Sequence, residues 1–353
     1  MPPTESHYPF AFPEVLQGHM DELALALASA AAPQVLLVID TRVLDAWAEA
    51  LQPLTQRYPY APFVAHEDHK TLAAAEAMYH ACAQAGLERG GLIVAIGGGL
   101  TTDVAAFVAS TWKRGVRLWL VPTTLLAAAD ATLGGKTGLN FGHSKNQVGT
   151  FYPAERIYVS PNWFSTLPPE ARRSGLAELL KHGLIADHTH WEELTTLGST
   201  YPTWPQLERS LHIKAQIVAD DPTERGPRKL LNYGHTLGHA LESARLAAGA
   251  PLAHGLAVAV GLTLEARLSV THAGLPQADA QHIETCLVAL GYDLSLGDVS
   301  DEALRLLAHH DKKNTQGELR FTLLSAVGAG VYDVPVVWPA VQAVLSDHRT
   351  QHG

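Results

Sequence analysis

At 353 residues, 47% of them hydrophobic, the chain is long enough to bury a large core and to form two domains. A formal net charge of −10 excludes nucleic acid as the main partner, because phosphate backbones are held by an excess of Lys and Arg. Two cysteines far apart in sequence, Cys82 and Cys286, exclude a disulfide framework and a thiolate metal site, and suit a reducing cytoplasm.

The opening residues, MPPTESHYPFAFPEV, lack a basic segment followed by an apolar one, so no signal peptide is expected. Residues 21–32 have helix-forming composition; their apolar run is about half a membrane span and is cut by Pro33. Val35 to Asp40 is a short apolar run ending in an acid, the composition of a buried parallel strand. An acid at the carboxyl end of such a strand meets a ribose hydroxyl or caps the next helix. A helix-like segment from Val43 to Gln52 follows, then Phe63 to His66, Glu67 to Lys70, and an Ala-rich helix to about Leu87.

Gly91 to Ile96 reads as a second buried strand, and Gly97, Gly98 and Gly99 follow at once. Glycines there let the backbone approach a phosphate and aim amide N–H groups at it, although such turns also occur without a ligand and the GxGxxG spacing is missing. After a helix from Val104 to Thr111, Val116 to Val121 reads as another strand, closed by Pro122, Thr123 and Thr124. Strand and helix alternate in this way as in a Rossmann-like, doubly wound parallel sheet. In the stretch from Gly97 to Asn146, Asp103, Arg114, Asp130, Lys136, Lys145 and Asn146 stand at the ends of apolar runs, where a sheet exposes its loops, as the rim of a site for phosphorylated ligands would.

From about Ser165 the pattern changes to helical spacing through 170–220, 232–247, 254–272 and 279–310, with Leu319 to Ser325 as the remaining strand. Pro161, Pro168 and Pro169 punctuate the change near Tyr158 to Thr166, giving an α/β domain over 1–162 and a mainly helical domain over 163–353. In the second domain Glu178 and Lys181 share a helical face, the spacing of an ordinary surface ion pair as well as of a functional one. His235 and His239 are four apart, and His254 follows. Paired helical histidines suit Zn2+, and a carboxylate such as Glu178 completes a His/His/Glu set with an open position, the arrangement of a catalytic metal.

These pieces occur together in longer motifs: GGGLTTDVAAF at 97–107, RG at 114–115, VPTTLLAAADATLGGKTGLN at 121–140, KN at 145–146, TLPPE at 166–170, GLAELLKHGLI at 175–185, LLNYGHTLGHALE at 230–242, HGLAVAVGL at 254–262 and DKKN at 311–314. In these motifs, and from about Val35 to Gly328, the chain resembles the 3-dehydroquinate synthase family.

The resemblance implies a two-domain fold, NAD+ and a divalent metal, usually Zn2+ with Co2+ as an alternative. It implies Glu178, His235 and His254 as metal ligands and sets His239 beside the substrate. It implies that NAD+ is held by Asp40, Glu67, Lys70, Gly98, Gly99, Asp103, Thr123, Thr124, Lys136, Lys145 and the segment from Phe164 to Thr166. For the substrate, 3-deoxy-D-arabino-heptulosonate 7-phosphate, it implies Lys136, Asn146 and Lys312 near the phosphate, Arg114 reaching in from a second subunit of a homodimer, and Lys214 and Arg228 at the carboxylate. Asp130, Lys181, Asn232 and His239 are left to address hydroxyls and relay protons. Two anionic ends need separate cationic clamps, since a buried cation without an anion is costly.

The implied reaction belongs to the shikimate pathway to aromatic amino acids: transient oxidation by NAD+, elimination of phosphate, re-reduction, ring opening and intramolecular aldol closure to 3-dehydroquinate. The chain departs from the family at Leu256, where an acid usually follows His-Gly, and at Thr102 and Ala106, where glycines are usual. The first change removes a hydrogen bond near the metal ligands, and the second tightens the nucleotide loop. Neighbouring alternatives are an inosose- or valiolone-forming sugar phosphate cyclase and a metal-dependent polyol dehydrogenase of related fold. The four residues Lys214, Arg228, Asn232 and Lys312 match the dehydroquinate-forming pattern, and unpaired clamps oppose the wrong substrate.

Overall fold

Val35 to Asp40 and Leu92 to Gly97 are apolar runs buried along their whole length, and they lie side by side as parallel neighbours. The computed structural model describes residues 13–142, 144–198, 200–309 and 319–352, Ser144 by its backbone alone. The chain divides into two compact units, Tyr8–Pro168 and Pro169–Gly353.

The first unit runs β1 (Glu14–Gln17), α1 (Met20–Ser29), β2 (Val35–Asp40), α2 (Thr41–Ala46), α3 (Ala48–Arg57), β3 (Tyr60–Phe63), α4 (Leu72–Gln84), β4 (Leu92–Gly97), α5 (Gly99–Thr111), β5 (Arg117–Pro122), β6 (Leu139–Phe141), β7 (Ser144–Val148) and β8 (Arg156–Val159). Six strands form one parallel sheet in the order β1-β8-β5-β4-β2-β3, and β6 and β7 pair as a separate hairpin. The central strands β2, β4 and β5 carry the core, with Leu37, Ile39, Val94 and Ile96 out of solvent. This is the alternating doubly wound architecture expected from the sequence.

Two local readings need correction. The segment Phe63 to His66 stands where the strand–helix alternation calls for a strand, but the strand lies over Tyr60–Phe63 and overlaps that segment only at Phe63. It contains Pro62, which an edge strand tolerates because the missing N–H falls on the unpaired side, and β3 is the last strand of the sheet. The helix expected over 43–52 is two helices that meet at Trp47, whose backbone leaves the helical region.

The second unit runs α6 (Pro169–Ala186), α7 (His188–Thr195), α8 (Trp204–Asp220), α9 (His235–Ala247), α10 (His254–His272), α11 (Gln277–Ala289), α12 (Asp301–His309), β9 (Leu319–Ala326), β10 (Ala329–Val336) and α13 (Trp338–His352). The strand expected over 319–325 is half of an antiparallel hairpin, whose second half has an exposed, weakly apolar face. Both α6 and α10 are buried nearly all round, as helices in the middle of a bundle must be. They approach closely because glycine stands at the crossings: a Cβ on Gly255 would overlap the carbonyl oxygen of Ser174 in α6, and one on Gly261 that of Gly234 ahead of α9. No described helix is long and apolar enough to cross a membrane.

Two interior histidines are expected to make this unit acid-sensitive. His190 donates to or accepts from Ser210 Oγ at 2.7 Å, and His348 Nε2 lies 2.7 Å from the carbonyl of Leu294; both side chains are out of solvent. Burial is the main cause that pulls each imidazole down to about 4. The unfolded chain takes up these protons near pH 6.5, whereas the folded chain does so only near 4, so stability falls as pH drops through that window. Urea unfolding is expected to show a loss of about 4 kcal/mol between pH 7 and pH 5, from two groups at about 1.4 kcal/mol per pH unit. His348→Gln is expected to remove about half of that slope; an unchanged slope would rule out this origin.

Candidate active site

In the first unit the chemistry-bearing side chains gather where β2 and β4 end. Asp40 closes β2 and caps α2, its Oδ1 accepting from the Arg42 amide at 3.0 Å. Burial pushes its carboxyl up against the pull of Arg42. Gly98 is the N-cap of α5 and brings no side chain to it, so the first amides of that helix have no side-chain acceptor there. Gly97 is required by packing, since a Cβ would lie 2.6 Å from the side chain of Thr101. Thr102 turns its hydroxyl back onto the carbonyls of Gly98 and Gly99, at 3.2 and 3.0 Å, which ties the turn from within. Ala106 is buried in the same helix.

A polar chain runs from there to the β6–β7 hairpin. Lys70 Nζ donates to Asp103 Oδ2 at 2.6 Å and to Asn146 Oδ1 at 2.5 Å. Burial pushes the Asp103 carboxyl up, with the Lys70 ammonium acting in the opposite direction. Asn140 Nδ2 donates to Glu67 Oε1 at 2.8 Å, and its Oδ1 accepts from the Asn146 amide at 3.0 Å. Asn140 therefore positions both Glu67 and Asn146, and it was missed in the sequence because it ends an apolar motif as a turn residue would. Asn146 has φ of 54°, a strained value for a residue with a side chain.

Thr123 is buried at the end of β5, and Thr124 Oγ1 accepts from the Ala127 amide at 3.1 Å. Asp130 sits on a π-helical turn over Ala127–Ala131, a local form frequent at functional sites. Lys136, Lys145 and Arg114 are exposed, Arg114 with φ of 68°. Phe164 is fully buried, and Thr166 Oγ1 accepts from Trp47 Nε1 at 3.2 Å.

In the second unit α6, α9 and α10 bring Glu178, His235 and His254 together. Glu178 is fully buried, and its Oε1 lies 3.4 Å from His235 Nε2 and 3.3 Å from His254 Nε2. Its Oε2 is paired with Lys181 Nζ, while Oε1 accepts no hydrogen bond. Each imidazole is held by its other nitrogen: His235 Nδ1 lies 3.0 Å from the carbonyl of Tyr233, and His254 Nδ1 lies 2.9 Å from Glu242 Oε2. An acceptor at Nδ1 holds a hydrogen on that nitrogen, so that Nε2 is the atom each ring would offer to a cation that displaces its proton.

A buried carboxylate oxygen with no hydrogen bond, facing two imidazole nitrogens, fits a divalent cation. The donor atoms of His235, His239 and His254 lie within 4.8 Å of one another, so His239 is within reach as well. Burial separates them, because His239 is exposed and Glu178 is closed off.

Burial pushes the Glu178 carboxyl up, but the Lys181 ammonium and the two imidazoles hold it well below the usual range. Burial and then Lys181 keep His235 below its ordinary value. Burial also pulls His254 down, yet the carboxylates of Glu178 and Glu242 push it up to about 10.

Glu265, fully buried in α10, accepts from the amides of Gly234 and Leu237 at 2.6 and 3.2 Å and so anchors the turn that carries His235. Neither Glu242 nor Glu265 stands out in the sequence, where each reads as an ordinary helix acid.

Lys214 and Arg228 are buried, as are Lys181 and His182. The loop that presents Arg228 is organised by Asp221, which accepts from the amides of Arg225, Gly226 and Arg228 at 3.0, 2.6 and 3.2 Å. Burial raises the Asp221 carboxyl, and these backbone donors bring it below its ordinary value. Asn232 Nδ2 donates to Glu224 Oε1 at 2.7 Å. Lys312 lies outside the described residues.

A parallel α/β unit with a glycine turn at a helix start, joined in sequence to a helical unit with a buried Glu/His/His centre, defines a two-unit metal-dependent enzyme class. The family models described as 3-dehydroquinate synthase N-terminal and C-terminal match residues 61–174 and 175–314. The 3-dehydroquinate synthase of Parabacteroides distasonis is 35% identical over 315 residues, 87% of this chain and 89% of that protein. The chain belongs to the 3-dehydroquinate synthase family.

Among solved structures, a 2-deoxy-scyllo-inosose synthase complexed with carbaglucose-6-phosphate, NAD+ and Co2+ superposes with a TM-score of 0.84 at 26% identity, covering 95% of this chain and 96% of that one. The 2-epi-5-epi-valiolone synthase of Streptomyces hygroscopicus, solved with NAD+ and Zn2+, shares the fold with a TM-score of 0.86 at 24% identity and 99% coverage of both chains.

Proposed function

We propose that this chain converts 3-deoxy-D-arabino-heptulosonate 7-phosphate to 3-dehydroquinate and inorganic phosphate, with NAD+ and a divalent cation, Zn2+ or Co2+, as cofactors. The observation that carries the reading is Glu178 Oε1, a buried acceptor without a hydrogen bond, facing two imidazoles whose other nitrogens are already tied. When bound, NAD+ would supply reversible hydride acceptance, and the metal would supply acidification of the alcohol being oxidised.

The protein's own residues bind, orient and move protons. Glu178, His235 and His254 would hold the metal, and exposed His239 would stand beside the substrate. The dinucleotide would be held in the first unit by Asp40, Glu67, Lys70, Gly98, Gly99, Asp103, Thr123, Thr124, Lys136, Lys145 and the Phe164 to Thr166 segment, and the start of α5 would offer backbone amides to an anionic group. Lys136, Asn146 and Lys312 take the substrate phosphate, Lys214 and Arg228 its carboxylate. Asp130, Lys181, Asn232 and His239 meet the hydroxyls and relay protons. Holding the substrate at both ends supplies the orientation that elimination and ring closure need, worth about 7–11 kcal/mol of barrier in favourable cases.

Arg114, exposed beyond α5, serves the site of a second copy in a homodimer, the commonest soluble assembly. The two free thiols, Cys82 and Cys286, support a cytoplasmic setting.

Protein supplied with NAD+, Zn2+ or Co2+ and the heptulosonate phosphate is expected to release one phosphate per substrate consumed with no net NADH. Stoichiometric NADH would instead mark a dehydrogenase. Turnover of glucose 6-phosphate or sedoheptulose 7-phosphate without turnover of the heptulosonate would assign the chain to a sister cyclase.

A further inference from the structure

His254 opens α10, and Leu256, two residues on in the same helix, has no polar side-chain atom to offer the ring. Its orientation comes from α9. Glu242 lies two turns along that helix from His235 and places Oε2 2.9 Å from His254 Nδ1, while Nε2 on the opposite side of the ring faces Glu178 Oε1 at 3.3 Å. The Glu242 side chain is largely buried, 15% exposed, so its bond to the ring is shielded from competing water.

We propose that Glu242 is a positioning residue of the metal centre. Its carboxylate keeps the proton of His254 on Nδ1, fixes the ring plane, and so presents Nε2 to the cation. This inference rests on the reading of Glu178, His235 and His254 as metal ligands. Glu242 meets the ring on the side away from Glu178, so it acts on the cation through the imidazole. His235 receives the same service from the Tyr233 carbonyl, a neutral acceptor, so the two histidines are oriented by groups of different charge.

The test compares Glu242→Ala, Glu242→Gln and His254→Ala with the parent, measuring Zn2+ dissociation constants by competition with a chromophoric chelator and thermal melting of each metal-free protein. Removal of such a partner weakens metal binding by about 10- to 100-fold. Glu242→Ala is expected in that range, and Glu242→Gln, which keeps a carbonyl acceptor for the Nδ1 hydrogen, is expected to recover most of the loss. Both metal-free variants are expected to melt with the parent. A Zn2+ affinity within about two-fold of the parent for Glu242→Ala, alongside clear loss in His254→Ala, would overturn the inference and leave the ligand set standing. Loss without recovery by glutamine, with lowered melting of the metal-free protein, would make Glu242 a packing residue. Parent-like affinity in His254→Ala would defeat the ligand set itself.

Discussion

Glu178→Gln is expected to retain the fold while losing the metal and the activity. The glutamine carbonyl still accepts from Lys181, so the buried ammonium keeps a partner, whereas the anionic oxygen that faces His235 and His254 is gone. Outright removal, as in Glu178→Ala, would break the buried ion pair with Lys181, a loss of about 3–5 kcal/mol for such pairs. Metal content, measured by elemental analysis after dialysis, is expected to fall below about a tenth of the parent, and kcat by at least ~10³-fold, equivalent to about 4 kcal/mol of transition-state stabilisation. His254→Ala is expected to lose metal as well. Full metal content in both variants would refute the ligand set.

Gly255→Ala is expected to disturb the centre without touching a ligand. The added methyl group would overlap the Ser174 carbonyl, part of the α6 backbone, which cannot swing aside as a side chain can. The Gly255 amide also donates to Ser174 Oγ at 3.0 Å, so the start of α10 is pinned to α6 at this point. Forcing the helices apart displaces His254 from Glu178. The expected cost is about 3 kcal/mol of stability, at the upper end of overpacking effects, together with weakened Zn2+ binding. Urea denaturation and chelator competition read the two effects separately. A variant with parent stability and parent affinity would mean that α6 and α10 do not meet as described.

The legible parts of the fold were those whose physics is local. Continuous apolar runs over 35–40 and 91–96 announced buried parallel strands, and helical spacing through α6, α9 and α10 announced the helical unit. The edge strand β1 and the outward half of the β9–β10 hairpin were not legible, because a strand with one exposed face and few residues leaves no continuous apolar run. The π-helical turn under Asp130 left no mark either, since five residues rich in Ala suit several helical forms.

For the candidate site, sequence alone determined the donor types. It placed histidines four apart on one face of α9, a carboxylate on α6, glycines at the start of α5, and long motifs that belong to one family. Spacing along a helix cannot decide which donors meet across helices. His235 and His239 share a face, with ring centroids 5.0 Å apart, yet His235 is buried and His239 is exposed. The packing of α6 against α10, permitted by the missing side chain of Gly255, brought Glu178 to His254. Tertiary structure also chose Glu242, Glu265 and Asn140 as the groups that hold the donors in place, because an acid or amide acquires that role only from the atom it meets across the fold.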